Sequence, residues 1–390
     1  MTTVSALDLS ALDLGAFVDA YLDINILLAF ACVLWAITSM TLRKCGLGYA
    51  YTAQLRTLRL VFLTIILSPL IVTGLMLVAR QSGMLQSNPL NLADFVVSQY
   101  LQGRFEMSPR NLETLLGARR QLGTGNSLGG SALWLGGALA FGFGFFVLRL
   151  VASMFKLRRI INDSFVWRRS GRLDLRLSDR TTVPFSTRSL RRRIVVLPSS
   201  MLAEPDDMRI ALGHELQHLR QRDVDWEIAL ELVRPFFFWN PAFYIWKRQV
   251  AELRELSCDR QVLDRKGYDV ATYCQCLLRV CHNSLKRKRL FALDVPVVAL
   301  VQAESRLFGQ RSAQVLRHRM LSLIEGRTER NPRRLARFLL APLVGLTFLA
   351  ALSIQRPADW SQDRLMLSTI INLERLESMN SASTLKVPGY

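Results

Sequence analysis

The feature that most limits what this chain can fold into is a set of four apolar windows sized to a lipid bilayer. Residues 21–41 and 57–79 carry almost no charge and exceed the roughly 20 residues a helix needs to cross the hydrocarbon layer. Residues 130–153 form a third window, rich in glycine and aromatics and interrupted only by Arg149. The fourth, 338–354, is 17 residues long and contains Pro342; a buried core helix is its competing reading. Half of the residues are hydrophobic, yet the net charge is +19. Soluble domains rarely combine the two, whereas apolar spans joined by basic loops do so readily.

The loops give an orientation. Residues 1–20 have no Lys or Arg but contain Asp8, Asp13 and Asp19, which places this end outside; Arg43, Lys44, Arg56 and Arg59 after the first window place that turn in the cytosol. Segment 80–129 is then external and 154–337 internal. The internal segment has 36 Lys and Arg against 20 Asp and Glu, a surplus of 16 out of the total of 19. The basicity is therefore mainly a positive-inside signature. Arg191-Arg192-Arg193 and Lys286-Arg287-Lys288-Arg289 are expected to meet anionic membrane lipid; no nucleic-acid motif with interleaved aromatics accompanies them, and direct nucleic-acid binding is not expected. The first residues lack the basic start of a cleavable signal peptide. None of the cysteines, at 32, 45, 258, 274, 276 and 281, falls on an external segment, so no disulfide is expected.

Two short amphipathic helices are expected in 80–129. After the third window a basic helix should run through Asn162. The alternation Leu173-Asp174-Leu175-Arg176-Leu177 and the run Ile194-Val195-Val196-Leu197 read as strands of a small sheet. Helices follow from Pro205, with Asp206 and Asp207 suited to the positive end of the helix dipole. Asn240-Pro241 marks a turn between two aromatic helices, Phe236–Trp239 and Phe243–Trp246. The fold class is thus a mainly α membrane protein: four transmembrane helices with an α+β domain inserted between the third and fourth. Its divisions are an external N-terminus (1–20), two spans with a short cytosolic turn (21–79), an external loop (80–129), a third span (130–153), a cytosolic domain (154–337), a fourth span (338–354) and an external tail (355–390).

Histidine is scarce, with four in the chain, and two of them frame a glutamate in His214-Glu215-Leu216-Gln217-His218. Imidazoles at i and i+4 stack on one helical face, where both can hold one cation, and Glu215 lies beside it as a general base for water. Leu212, Leu216 and Leu219 would anchor the opposite face in a core. The metzincin extension needs glycine at 221 and histidine at 224; the chain has Gln221 and Val224, which excludes that class. Downstream, Glu255 and Asp259 share a helical face at i, i+4. One can bind zinc while the other accepts the free N–H of a ligating imidazole, and Glu252 is the next carboxylate in line. Cys274, Cys276, Cys281 and His282 lack the spacing of a zinc knuckle and read as helix packing.

These motifs, together with Arg222-Asp223, Trp239-Asn240-Pro241 and Arg254-Glu255-Leu256-Ser257-Cys258-Asp259, resemble the BlaR/MecR family of integral membrane peptidases. The resemblance extends over residues 20–355 and is strongest in 195–265. It implies a gluzincin-like zinc metalloendopeptidase with His214, His218 and Glu255 as ligands, Glu215 as base and Asp259 supporting an imidazole. It further implies a multi-pass protein of the bacterial inner membrane that responds to an external signal by cutting a cytosolic regulator such as a repressor, or itself, with a homodimer as a candidate assembly. Sensor members carry an external penicillin-binding domain after the fourth span. Here 36 residues follow Ile354. Ser383-Thr384-Leu385-Lys386 and Ser153-Met154-Phe155-Lys156 match its nucleophile pattern without the partner motifs, so direct β-lactam sensing is not expected. The tail spacing Met366, Ile370, Leu373 suggests instead an amphipathic helix that, with the 80–129 loop, receives a membrane or protein signal. A constitutive processing protease similar to the HtpX and CaaX-processing enzymes is the rival enzymatic reading. A zinc-stabilised scaffold is the non-enzymatic one.

Overall fold

The computed structural model describes residues 14–81, 99–100, 104, 129–189, 191–286, 298–299, 309–325 and 332–354, with 369, 372, 373 and 376 in the tail. The amphipathic helices expected in 80–129 lie outside the described residues, as do Met366 and Ile370 of the tail; Leu373 is helical and exposed.

Three helices are long and apolar enough to cross a membrane among the described residues: Ala20–Lys44, Tyr51–Leu75 and Gly136–Asn162. They belong to α1 (Leu14–Lys44), α2 (Tyr51–Gln81) and α3 (Gly129–Asn162). The fourth window is part of a helix too, Pro332–Ile354, which contains Pro342; among its residues with described side chains, Leu340–Ile354 form an apolar stretch. Ile26, Phe30, Val33 and Ile37 on α1, and Phe141, Phe145 and Leu148 on α3, are exposed. Such apolar stripes are what a helix presents to lipid. Arg43 and Lys44 lie in the last turn of α1, and Gly46, at φ +70°, ends the helix with Leu47 N–H donating to Leu42 O at 2.9 Å.

The chain divides into two compact units. The first takes α1 to Ala31, α2 from Val61 and the helix Pro332–Ile354 from Pro342; Leu27, Leu28, Val61, Ile65 and Leu343 are buried. The second takes Cys32–Leu60 and Ala138–Ala341 and is α+β. Its strands are β1 (Phe165–Ser170), β2 (Leu173–Ser178), β3 (Phe185–Arg188), β4 (Arg193–Pro198) and β5 (Val298–Ala299), in sheet order β1-β2-β4-β3-β5. β1 and β2 form an antiparallel hairpin turned at Gly171 (φ +56°); β2 runs parallel to β4, pairing Leu175 with Val195, while β3 is antiparallel to both β4 and β5. The two strands read from the sequence are β2 and β4.

Among the described residues, five helices accompany the sheet: α4 (Pro205–Arg220), α5 (Asp223–Val233), α6 (Pro241–Lys266), α7 (Val270–Lys286) and α8 (Gly309–Ile324); the helix Pro332–Ile354 is α9. A core forms where Leu175, Val195 and Leu197 of the sheet meet Ile210 and Ala211 of α4, Cys258 and Val262 of α6, and Cys276 and Leu277 of α7. Leu219 is buried in that core, and Leu212 and Leu216 pack against it. Cys274 lies in this core and Cys281 packs against it.

One local expectation changes. Phe236–Trp239 is not a helix: a short 3-10 turn, Arg234–Phe236, is followed by irregular chain. The residue before Pro241 is driven out of helical geometry, and Asn240 sits at φ −88°, ψ 110°, its Oδ1 accepting from Ala242 N–H at 2.9 Å to cap α6. The aromatics of this turn pack in the second unit. Phe237 stacks on Phe243 at 5.4 Å and Phe238 on Phe146 of α3 at 5.6 Å. Gly142 makes the last approach possible, since a Cβ there would sit 2.3 Å from the Phe238 ring.

Candidate metal centre

α4 starts with Pro205, whose missing N–H is no loss in the first turn, and with Asp206 and Asp207 at its positive end. Asp207 is also clamped by Nε and Nη2 of Arg279 from α7. The helix is thus held at its start and along its apolar face, and His214 and His218 both point into the protein, fully buried. Their Nε2 atoms are 3.0 Å apart, with the rings nearly perpendicular. α6, capped by Asn240 and ended by Gly267 in the left-handed region, brings Glu255 to the same point. Glu255 Oε2 is 3.6 Å from His214 Nε2, and Oε1 is 3.8 Å from His218 Nε2.

The outer ring edges are held separately. His218 Nδ1 lies 2.7 Å from Asp223 Oδ2. His214 Nδ1 lies 2.9 Å from the Tyr273 hydroxyl, which donates to Asp259 Oδ1 at 2.8 Å; Asp259 itself is 3.3 Å from the ring. Arg319 of α8 clamps Asp259 with two bonds of 2.7 Å and places Nη1 3.3 Å from Glu255 Oε2. Asp223 reaches back to His218 because Arg222 adopts φ 57° between α4 and α5, the sole positive-φ residue other than glycine among those described. A side chain in that conformation is strained by roughly 1–2 kcal/mol, and the turn it makes is what aims Asp223.

Glu215 is buried, and neither of its oxygens nor those of Glu255 makes a hydrogen bond. Glu255 has ion-pair contacts alone, to Arg319 Nη1 at 3.3 Å and Arg254 Nε at 3.5 Å, and Glu215 has no donor; two such carboxylates beside two facing imidazole Nε2 atoms are an expensive arrangement in a buried place. A cation ligated there resolves it. The charges agree. Burial opposes a charge on His218, but Cys258, Glu255 and Asp223 outweigh it and raise the group to about 10. His214 is raised likewise, against burial, by Cys258, Tyr273 and Asp259. Burial would raise Glu255, yet Arg319, His218 and Arg254 hold it at about 2. Asp259 is kept well below the usual carboxylate range by Arg319 and His214, against burial. For Glu215 burial wins over the two imidazoles and pushes the carboxyl up; the Ser186 hydroxyl on β3 favours its charged form without hydrogen-bond geometry.

Two side chains compete for the third ligand position. The ligand atoms of His214, His218 and Cys258 fall within 4.8 Å of one another. Cys258 Sγ, however, is 3.7 Å from His214 Nδ1 and 3.5 Å from His214 O, on the ring edge that Tyr273 and Asp259 already serve. Glu255 faces both Nε2 atoms, and we favour it. Glu252 is not at the site; it pairs with His318 at 2.7 Å.

All five residues singled out in the sequence, His214, Glu215, His218, Glu255 and Asp259, meet here. Asp223, its ion-pair partner Arg59, Tyr273 and Arg319 belong to it as well, without a sequence pattern that marks them. Among the described residues, no metal-capable group includes Cys274, Cys276 or Cys281. The family model for the BlaR1 peptidase M56 matches residues 21–308, which takes in every one of these groups except Arg319. No curated protein matches the chain.

Proposed function

The chain belongs to the BlaR1 peptidase M56 family, and on that premise we propose that it is a zinc-dependent membrane endopeptidase that transduces a signal by cutting a cytosolic regulatory protein. The observation that carries this reading is the convergence of the two Nε2 atoms, 3.0 Å apart, with the Glu255 carboxylate and the buried Glu215 carboxylate, which makes no hydrogen bond. His214, His218 and Glu255 would hold the ion, the three-ligand set that leaves a position open for water or substrate. Zinc there would polarise the scissile carbonyl and lower the pKa of water.

The remaining steps fall to the chain itself. Glu215 accepts the proton as water oxygen bonds to the carbonyl carbon. It returns that proton to the amide nitrogen as the C–N bond breaks, so that a carboxylic acid and an amine leave. Asp223, and Tyr273 with Asp259, hold the Nδ1 edges, which fixes the tautomers and leaves each Nε2 lone pair free. The basic surplus of 154–337 supports an active site on the cytosolic face, with spans at 21–41, 57–79, 130–153 and 338–354 and both termini outside. A cytosolic substrate follows from that side.

Comparing the proteome of cells carrying the native protein with that of cells carrying Glu215→Ala tests the reading. The signalling account expects one or a few cytosolic proteins to be stabilised, and only under an inducing condition. Broad stabilisation of membrane proteins without induction would favour constitutive processing. No change in any protein would leave a scaffold.

A further inference from the structure

Arg59 has a place in the chain that charge counting alone does not explain. It lies in the third turn of α2, inside the apolar stretch Tyr51–Leu75, and its side chain is only 11% exposed. Nη2 donates to Asp223 Oδ1, Nη1 donates to the Gln221 carbonyl at 3.3 Å, and the guanidinium lies over the Trp226 ring, 5.5 Å from its centroid. Asp223 is fully buried and uses its two oxygens separately, one on Arg59 and the other on His218 Nδ1 at 2.7 Å. An arginine from a membrane-type helix is therefore two bonds from the imidazole of a metal ligand.

A second contact repeats the theme on the other ligand helix. Thr52, seven residues before Arg59 and so on the same face of α2, has Oγ1 3.0 Å from Ser257 Oγ of α6 and accepts from Gln261 Nε2 at 3.2 Å. Ser257 is two residues from Glu255. The first turns of α2 thus touch the surroundings of both His218 and Glu255, and α2 continues as one helix to Gln81.

We propose that Arg59 is a positioning residue for His218, and that through it the start of α2 couples a membrane helix to the metal centre. The proposal rests on the zinc reading above. A buried ion pair contributes little net stability compared with apolar packing, so stability alone is a poor reason for this one. Asp223 by itself can select the tautomer of His218. Arg59 sets the direction of that carboxylate, holding Oδ1 while Oδ2 faces His218. A displacement of α2 by part of a turn withdraws the guanidinium from Asp223 and loosens the ligand. By linkage, metal binding must favour the engaged position of α2 to the same extent.

The test uses the full-length protein in detergent or nanodiscs, with Arg59→Gln, Arg59→Lys and, as a charge control, Arg56→Gln, whose side chain is exposed. Zinc affinity is read by competition with a chelator, and ligand geometry by the visible spectrum of the cobalt-substituted protein. Loss of an outer-shell partner of a metal ligand weakens binding by roughly 10–100-fold. We expect a loss of that size in Arg59→Gln with a changed cobalt spectrum, an intermediate value in Arg59→Lys, which cannot serve Asp223, Gln221 and Trp226 together, and native behaviour in Arg56→Gln. A folded Arg59→Gln with native affinity and spectrum overturns the proposal. If neither Arg59 variant folds, hydrogen exchange on the native protein decides: zinc should slow exchange in residues 51–60, and unchanged exchange there overturns it. Native protein that takes up no zinc overturns the metal reading, and this proposal with it.

Discussion

At the scale of the residue, the site divides into groups with a local signature and groups without one. His214, Glu215 and His218 follow from helical periodicity, and Glu255 with Asp259 from the same spacing on one later helix. Arg59 and Arg319 carry no such signature, because their partners Asp223 and Asp259 lie on other elements, 164 and 60 residues away. Asp223 is only five residues from His218, yet its role depends on the left-handed turn at Arg222, which an arginine does not announce. Tyr273 stands between His214 and Asp259, so the direct imidazole–carboxylate contact expected from the sequence is shared with a phenol. Cys258 gives a prediction at this scale. It lies on the Nδ1 side of His214, so Cys258→Ala should keep the zinc affinity of the native protein, and the cobalt form of the native protein should lack a sulfur charge-transfer band. Such a band, lost in Cys258→Ala, would make the thiolate the third ligand.

Among the elements, α6 has the most to position, since it carries Glu255, Cys258 and Asp259. Its start is fixed by the Asn240 cap and Pro241. Asn240→Ala should cost about 1 kcal/mol and lower the melting temperature by roughly 1–2 °C in a chain of this size, with zinc stoichiometry unchanged; calorimetry and metal analysis check it, and an unaltered melting temperature would mean that the cap does not hold the helix. The strands show where pattern reading stops. β2 alternates and β4 is a continuous apolar run, so both were legible. All six residues of β1 are exposed, which erases the period-two signal, while β3 has four residues and β5 two. The aromatic run before Asn240 looked helical by composition, but the turn that Pro241 imposes took precedence.

For the whole molecule, hydropathy and charge carried the reading. Among the described residues, three windows correspond to helices of spanning length, and the fourth lies in the helix Pro332–Ile354, whose hydrogen-bond ladder is interrupted at Pro342. Reporter fusions should place residues near 50 and 230 in the cytosol and residues near 110 and 375 outside; an external reporter at 230 would remove the cytosolic substrate along with the charge argument. The central claim is narrower, that His214, His218 and Glu255 hold a catalytic zinc ion with Glu215 as its base. Zinc content per chain, measured on the purified full-length protein and its variants, tests it most directly. The account predicts about one zinc in the native protein and in Glu215→Gln, and a large loss in Glu255→Gln, as in His214→Ala and His218→Ala. A native protein without zinc, or a Glu255→Gln variant that keeps the full complement, would contradict it.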